Sequence, residues 1–570
     1  MKLNLKKLLL LLLVIPFLGC SSNKEQKFET VTIENPIMIG FYPDPSVCQG
    51  PDGYYMVHST FSYYPGIPIF YSPDLVHWEQ IGHVMTRPEQ LTLDGLKIAS
   101  DGIYAPTIEY NNGKFYVACT VVRERGNYIV TAEDPRGEWS DPYWLPNVNG
   151  IDPSLFFDDN GKTYLVFNSD APNHEPLYDG HRTIKMVEMD MENMKTKGEE
   201  KIVINGGVDI SQEPVWIEGP HLYKIDGMYY ICCAEGGTSV NHRQVIFRSE
   251  NATGPFIPWD KNPILTQMHL DDNRPNPITS TGHADLIQDL KGNWWAVFLA
   301  CRPYEDNYYN LGRETYMAPI KWEDGWPIIN PDFDEVQMSY AFDAAIAPKG
   351  EYERLNGALK VREEFVNQEL DQRWMMIRTP YEKWYSINSD NGGSISMQLR
   401  AKSLMKKGNP SFIGRRQQHL LSSASTEMNF EPYSIDEKAG LIVLQNETHF
   451  YFLCKSLVDE KPVVELYQST FNDKMLLLAQ EVLNDKDGSL MLKIESEKDN
   501  YNFYYSENDE DWSQIGESAD ARFLSTETAG GFVGCTYGLY AVNCDEEIDT
   551  NSEATFFWFE YEGDDSELVR

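Results

Sequence analysis

At 570 residues the chain has room for at least two sizeable domains. Its 48 Lys and Arg stand against 87 Asp and Glu, a formal charge of -39, so its field repels polyanions and argues against nucleic acid as a partner. The 33 Tyr, 26 Phe and 13 Trp supply flat apolar faces, most of them expected in a β-rich core and a minority left over to stack on sugar rings.

In chain order, Lys2, Lys6 and Lys7 precede an apolar run from Leu8 to Phe17 that is too short to span a membrane, and Leu18-Gly19-Cys20 closes it. Residues 1–20 thus resemble a bacterial lipoprotein signal, in which Cys20 is lipidated and becomes the mature N-terminus; a simple cleaved signal peptide is the other reading. The lipidated reading predicts a protein of the cell envelope, held to a bacterial membrane by its N-terminus. Residues 21–28 read as a polar tether. The other cysteines form no C-x-x-C pair and sit inside apolar strand patterns, which predicts small buried hydrophobes rather than a zinc or thiol site.

From here to about residue 300 one phrase recurs five times: a small or polar residue, Pro or Ala, a variable residue, an aliphatic, then a Gly turn and an aromatic-aliphatic run. The copies begin at Asp44-Pro45-Ser46-Val47, Ala105-Pro106-Thr107-Ile108, Asp152-Pro153-Ser154-Leu155, Gly219-Pro220-His221-Leu222 and His283-Ala284-Asp285-Leu286. Their turn glycines are Gly53, Gly113, Gly161, Gly227 and Gly292. Strand, two-residue Gly turn and strand is a hairpin, and the long spacing between copies fits four-stranded blades. The repeat predicts an all-β, five-bladed propeller over residues 29–340, with unrelated hairpins in a large sandwich as the alternative. In a propeller the innermost strands line the axis, so Asp44, Asp152, Glu218 (one residue before the aligned Gly219) and His283 should converge on one pocket.

The repeat stops after Pro327, and residues 341–357 read as a linker with little apolar periodicity. Residues 358–570 again read as short strands, among them Ser394 to Leu399, Gly440 to Leu444, Phe450 to Lys455 and Leu490 to Ile494, which predicts a β-sandwich.

Five motifs in order, Phe41-Tyr42-Pro43-Asp44-Pro45-Ser46, Gly150-Ile151-Asp152-Pro153-Ser154, Glu218-Gly219-Pro220-His221-Leu222, Gly282-His283-Ala284-Asp285 and Leu311-Gly312-Arg313-Glu314-Thr315, resemble glycoside hydrolase family 43. The resemblance is strongest to its two-domain β-xylosidase and α-L-arabinofuranosidase branch. It extends to a concanavalin-like sandwich through Phe412-Ile413-Gly414-Arg415-Arg416-Gln417 and Ala439-Gly440-Leu441. It implies an exo-acting, inverting hydrolase that releases terminal xylose or arabinofuranose from xylan-derived oligosaccharides of plant cell walls. Inversion needs a base to activate water on one face of the sugar and an acid on the other, roughly 6.5 to 9.5 Å apart.

By the match, Asp44 is the base, Glu218 the acid, and Asp152 the carboxylate that raises the pKa of the acid and orients it. Arg313 would bind hydroxyls or carboxylates with its planar fork. Phe61, Tyr104, Ala105 and Thr238 would wall the terminal-sugar pocket, and Phe532, flanked by Gly530, Gly531 and Gly534, would be lent by the sandwich or else belong to its core. Tyr104 stands where the family usually has Trp, which bears on sugar preference. His283 could touch substrate, sit near a structural calcium bound through water, or be a satisfied buried histidine; no cofactor is required. A non-catalytic glycan-binding lipoprotein would have no reason to keep both Asp44 and Glu218, and the Asn-Asp-Pro opening of retaining fructan-processing propellers is absent at Tyr42-Pro43-Asp44-Pro45.

Overall fold

The computed structural model describes residues 28–568 apart from 97–98, 272, 346–354, 391, 485–487, 509–510 and 546–549. The expected lipoprotein signal with Cys20, and the expected tether up to residue 27, lie outside the described residues. Phe28, read as the end of the tether, instead opens a strand, Phe28–Glu34, that pairs antiparallel with Ser339–Ala345. Part of the expected linker is therefore strand. Tyr340, Phe342 and Ala344 are buried at every second position, an alternation that the short Ala side chains hide in the sequence.

Between these clipped ends lie five antiparallel sheets, each built from consecutive strands. Their inner strands are Ser46–Gln49, Thr107–Asn111, Ile151–Phe157, Glu218–Ile225 and Thr279–Gln288. Each inner strand packs against the next and the fifth against the first, so the ring closes as a five-bladed propeller. Each blade is covered on both faces by its neighbours, which explains the continuous apolar runs of the middle strands. In Met228–Glu235, Tyr230 and Cys232 join one interblade core while Tyr229, Ile231 and Cys233 join the next. Seven of the cysteines beyond Cys20, in both domains, are buried, and Cys544 is partly so.

The turns after the inner strands are less uniform than the repeat predicts. Asn112-Gly113 and Asp226-Gly227 are two-residue turns with φ of +50° and +83°, and +50° and +81°, the left-handed pair that Gly favours. The other three turns are longer. At Gly53 the requirement is space rather than φ, since a Cβ there would lie 2.4 Å from the Ser72 carbonyl oxygen.

The second domain stacks a nine-stranded sheet on a six-stranded one. The strand Glu437–Asn446 of the smaller sheet is buried along its whole length. Leu441 and Val443 face the sandwich core, whereas Ile442 and Leu444 pack with Phe41, Phe61 and Tyr63 of the propeller. The six-stranded sheet is thus the middle layer of three. The junction also has backbone pairing: Met376–Ile377 pairs with Tyr63–Tyr64, and the Arg378 N–H donates to the Ser62 carbonyl at 2.7 Å. Arg378 and Glu447 form a buried ion pair, and Glu447 accepts the Ala99 N–H at 2.8 Å.

Removing the sandwich would expose this apolar face and unpin residues 61–64 and 99–101, so a chain ending at residue 345 should aggregate or be inactive on small substrates. Sedimentation together with turnover checks this, and a soluble, fully active fragment would contradict it.

Candidate active site

The repeat position at the head of the inner strands has an unusual backbone. Asp44, Asp152 and His283 have φ of +55°, +54° and +52°, and Gly219 has +56°. Left-handed backbone costs an ordinary L-residue roughly 1–2 kcal/mol, and Asp and His are among the types that visit it most readily. In the third, fourth and fifth blades the same point is a register shift, at Ile151/Ser154, Glu218/His221 and Gly282/Asp285. Such bulges re-aim side chains, here toward the axis. The fourth blade carries Gly because a Cβ at 219 would lie 2.7 Å from Nε2 of His283, and its carboxylate comes from the preceding Glu218.

The structure brings every pocket residue expected from the sequence into one concavity. Asp44, Asp152, Glu218, His283 and Arg313 share it with Phe61, Tyr104, Ala105, Thr238 and Phe532. The larger clefts along the domain junction contain none of the three carboxylates. Asp44, Asp152 and Glu218 are 5%, 4% and 8% exposed, so their charges interact with little screening.

Asp44 receives Arg313 Nη1 at 2.8 Å on Oδ1 and the Ser59 hydroxyl at 2.5 Å on Oδ2. Burial alone would raise its pKa, but Arg313 and then the other partners reverse this and hold it below the ordinary 3.8. His283 Nδ1 lies 3.4 Å from Asp44 Oδ1. Burial lowers both His283 and the neighbouring His242 to about 4, so the imidazoles are neutral at pH 7 and Arg313 is the main counter-charge.

Asp152 and Glu218 behave oppositely. Burial, followed by repulsion from Asp152 and Asp44, pushes Glu218 up to about 8. Burial also raises Asp152 to about 7, against the pull of the Gly219 N–H that donates to its Oδ2 at 3.0 Å. The charge of Asp152 is one of the causes that raise Glu218, so the two carboxyls are electrostatically linked.

An aromatic wall closes one side. Phe61 and Phe532 are stacked at 6.1 Å with an interplanar angle of 21°, and Tyr104 meets them edge-on at 5.8 and 5.6 Å. The Arg313 guanidinium lies 5.9 and 5.5 Å from the Phe61 and Phe532 ring centres. Phe532 comes from the sandwich, partly buried and lining the pocket, with its N–H donating to Ser100 Oγ at 2.9 Å. Its loop touches the arginine motif backbone to backbone: a Cβ on Gly534 would lie 2.4 Å from the Leu311 oxygen, and one on Gly312 2.8 Å from the Gly534 nitrogen.

Ile151, which lines the pocket, Ser59 and His242 were not singled out by the sequence. Ile151 adjoins Asp152 in its motif and could have been flagged; Ser59 sits in a loop outside the repeat. Among the described residues no group of three or more His, Cys, Asp or Glu could hold a metal ion, and both oxygens of Asp285, on the His283 strand, already accept hydrogen bonds.

A propeller pocket with one ionised carboxylate, a proton-holding carboxyl pair and an aromatic wall defines a glycosidase-type site. The family model for glycosyl hydrolases family 43 matches residues 33–327, and that for the β-xylosidase C-terminal concanavalin A-like domain matches residues 362–562. A xylosidase/arabinosidase of Butyrivibrio fibrisolvens is 39% identical over 546 residues, covering 93% of this chain and 99% of the relative. A non-reducing end α-L-arabinofuranosidase of Bacteroides ovatus is 37% identical over 536 residues, covering 93% and 94%. Among solved structures, a xylan β-1,4-xylosidase of Bacillus halodurans superposes with a TM-score of 0.83 at 29% identity, covering 93% of this chain and all (100%) of the other. The chain belongs to glycosyl hydrolase family 43, with the two-domain, propeller-plus-sandwich build.

The raised Glu218 pKa has a sign for stability. A carboxyl that titrates at about 8 when folded, against an ordinary 4.5, lends stability below pH 4.5 that is lost as pH rises through 8. Glu218→Gln removes this contribution, so its melting temperature should gain on wild type between pH 5 and pH 9 (roughly the span between these values). Parallel melting curves across that range would show the Glu218 carboxyl to be unperturbed.

Proposed function

We propose that the protein is an exo-acting, inverting pentosidase that releases terminal xylose or α-L-arabinofuranose from xylan- or arabinoxylan-derived oligosaccharides. The observation that carries this reading is three buried carboxylates in one pocket of which only Asp44 is bonded to Arg313 and Ser59, an arrangement that favours the anion at Asp44 and raises the pKa of Asp152 and Glu218. Asp44, oriented by Arg313 and Ser59, takes a proton from a water that attacks the anomeric carbon from the face opposite the departing oxygen. The Glu218 carboxyl gives its proton to that oxygen as the glycosidic bond breaks. Asp152, bonded to the Gly219 N–H, holds the acid in place and opposes its early ionisation. The proton taken by Asp44 and the one given by Glu218 balance, leaving a free sugar and an alcohol.

Phe61, Tyr104 and Phe532 close one side of the pocket, which suits a single terminal ring and end-wise action. The names of the relatives include both xylosidase and arabinofuranosidase, and both sugars remain within the proposal. The signal-like N-terminus further supports a lipid anchor at Cys20, which would place the enzyme on a bacterial envelope facing its oligosaccharide substrate.

The test uses aryl β-xylosides and aryl α-L-arabinofuranosides alongside the corresponding oligosaccharides. Wild type should release monosaccharide from at least one class. Asp44→Asn should lose activity on every substrate, about 10²–10⁴-fold, the usual contribution of a positioned acid or base. Glu218→Gln should lose far less on aryl glycosides with good leaving groups, which need little protonation, than on oligosaccharides. Equal losses for both variants on both substrate types would sink the role assignments.

A further inference from the structure

Asp285 is buried on the inner strand of the fifth blade, two residues beyond His283, and no step above uses it. Its Oδ2 accepts the Ser46 hydroxyl at 3.0 Å and the Val47 N–H at 2.9 Å; its Oδ1 accepts the Tyr223 hydroxyl at 2.6 Å. Ser46 and Val47 follow Asp44 on the first blade, and Tyr223 shares the inner strand of the fourth blade with Glu218. One carboxylate therefore ties the strand that follows Asp44 to the strand that begins at Glu218.

These bonds belong to a circuit around the axis. The Ser46 oxygen accepts the Ile108 N–H at 3.1 Å, joining the first and second blades. Thr107 donates to the Pro153 carbonyl at 2.8 Å, joining second and third, and Asp152 accepts the Gly219 N–H, joining third and fourth. Asp285 supplies the two remaining links, fourth to fifth and fifth to first.

The chemistry of the position is specific. The Ser46 oxygen takes the Ile108 N–H and the Tyr223 oxygen takes the Leu286 N–H at 3.0 Å, which leaves both hydroxyl protons directed at Asp285. With the Val47 N–H that makes three donors converging on one side chain, a demand that only an acceptor-only carboxylate meets. An amide would turn its NH2 against at least one of them.

We propose that Asp285 is a positioning residue for hydrolysis: by clamping the inner strands of the first and fourth blades, it holds Asp44 and Glu218 at their working separation. The proposal rests on the roles given above to Asp44 and Glu218. Its two arms predict different defects, because the Ser46 arm leads to the base and the Tyr223 arm to the acid.

The experiment measures kcat, KM and melting temperature for Ser46→Ala, Tyr223→Phe and Asp285→Asn on two aryl pentosides, one with a good and one with a poor leaving group. Ser46→Ala should lower kcat about tenfold, equally on both substrates. Tyr223→Phe should lower kcat mainly on the poor leaving group. Asp285→Asn should combine both losses, with KM within about threefold of wild type throughout. If Asp285→Asn does not fold, the two milder variants decide. Folded Ser46→Ala and Tyr223→Phe with kcat within about twofold of wild type would overturn the proposal, as would identical losses on both substrates for both variants, the pattern of a merely structural ring. Should Asp44→Asn and Glu218→Gln behave as expected while these variants are silent, only the role of Asp285 falls.

Discussion

Burying Asp44, Asp152 and Glu218 in one pocket with Arg313 cannot leave all three ionised, because each unpaired charge pays a desolvation cost that a single guanidinium does not offset three times over. The guanidinium is committed to Asp44, which also receives Ser59. That commitment makes Asp44 the stable anion and drives the remaining charge deficit onto the other two as bound protons. In the proposed mechanism, base and acid are distinguished by this allocation rather than by residue type. Three separated surface carboxylates would all be ionised at neutral pH and none could act as an acid.

The allocation depends on a scaffold that presents side chains toward one axis from distant parts of the chain. Four of the five repeat heads are left-handed, and in three blades that residue coincides with a bulge, so strain in the backbone is exchanged for a fixed direction of the side chain. The sandwich completes the site from outside. Its middle sheet packs on Phe41, Phe61 and Tyr63, and its 530–535 loop brings Phe532 against the arginine motif through glycine-to-glycine backbone contact. Pocket wall and counter-charge thus depend on the same interface, which packs the two domains as one unit.

Much of this was legible in the sequence because a propeller converts repeat position into spatial position. Asp44, Asp152 and His283 could be placed on the axis by counting from a Pro or Ala to a turn Gly, and Glu218 by its neighbour Gly219. Residues outside the repeat carried no such address. Ser59 lies in a loop and makes its contribution only through the fold. The strand Ser339–Ala345 was hidden because Ala replaces larger apolar residues in its alternation, and two of the five Gly turns, not all, have the short form the repeat suggested. The motifs of the arginine and of Phe532 were recognisable by resemblance, but their backbone contact joins residues more than two hundred positions apart, which no local pattern encodes.

In the proposed mechanism Asp44 activates water directly and never bonds to the sugar. Proton NMR of an aryl β-xyloside reaction in its first minutes, before mutarotation, measures this. α-Xylose should appear first and the β anomer only later; β-xylose as the first product would mean a covalent intermediate and would rule out direct activation of water by Asp44.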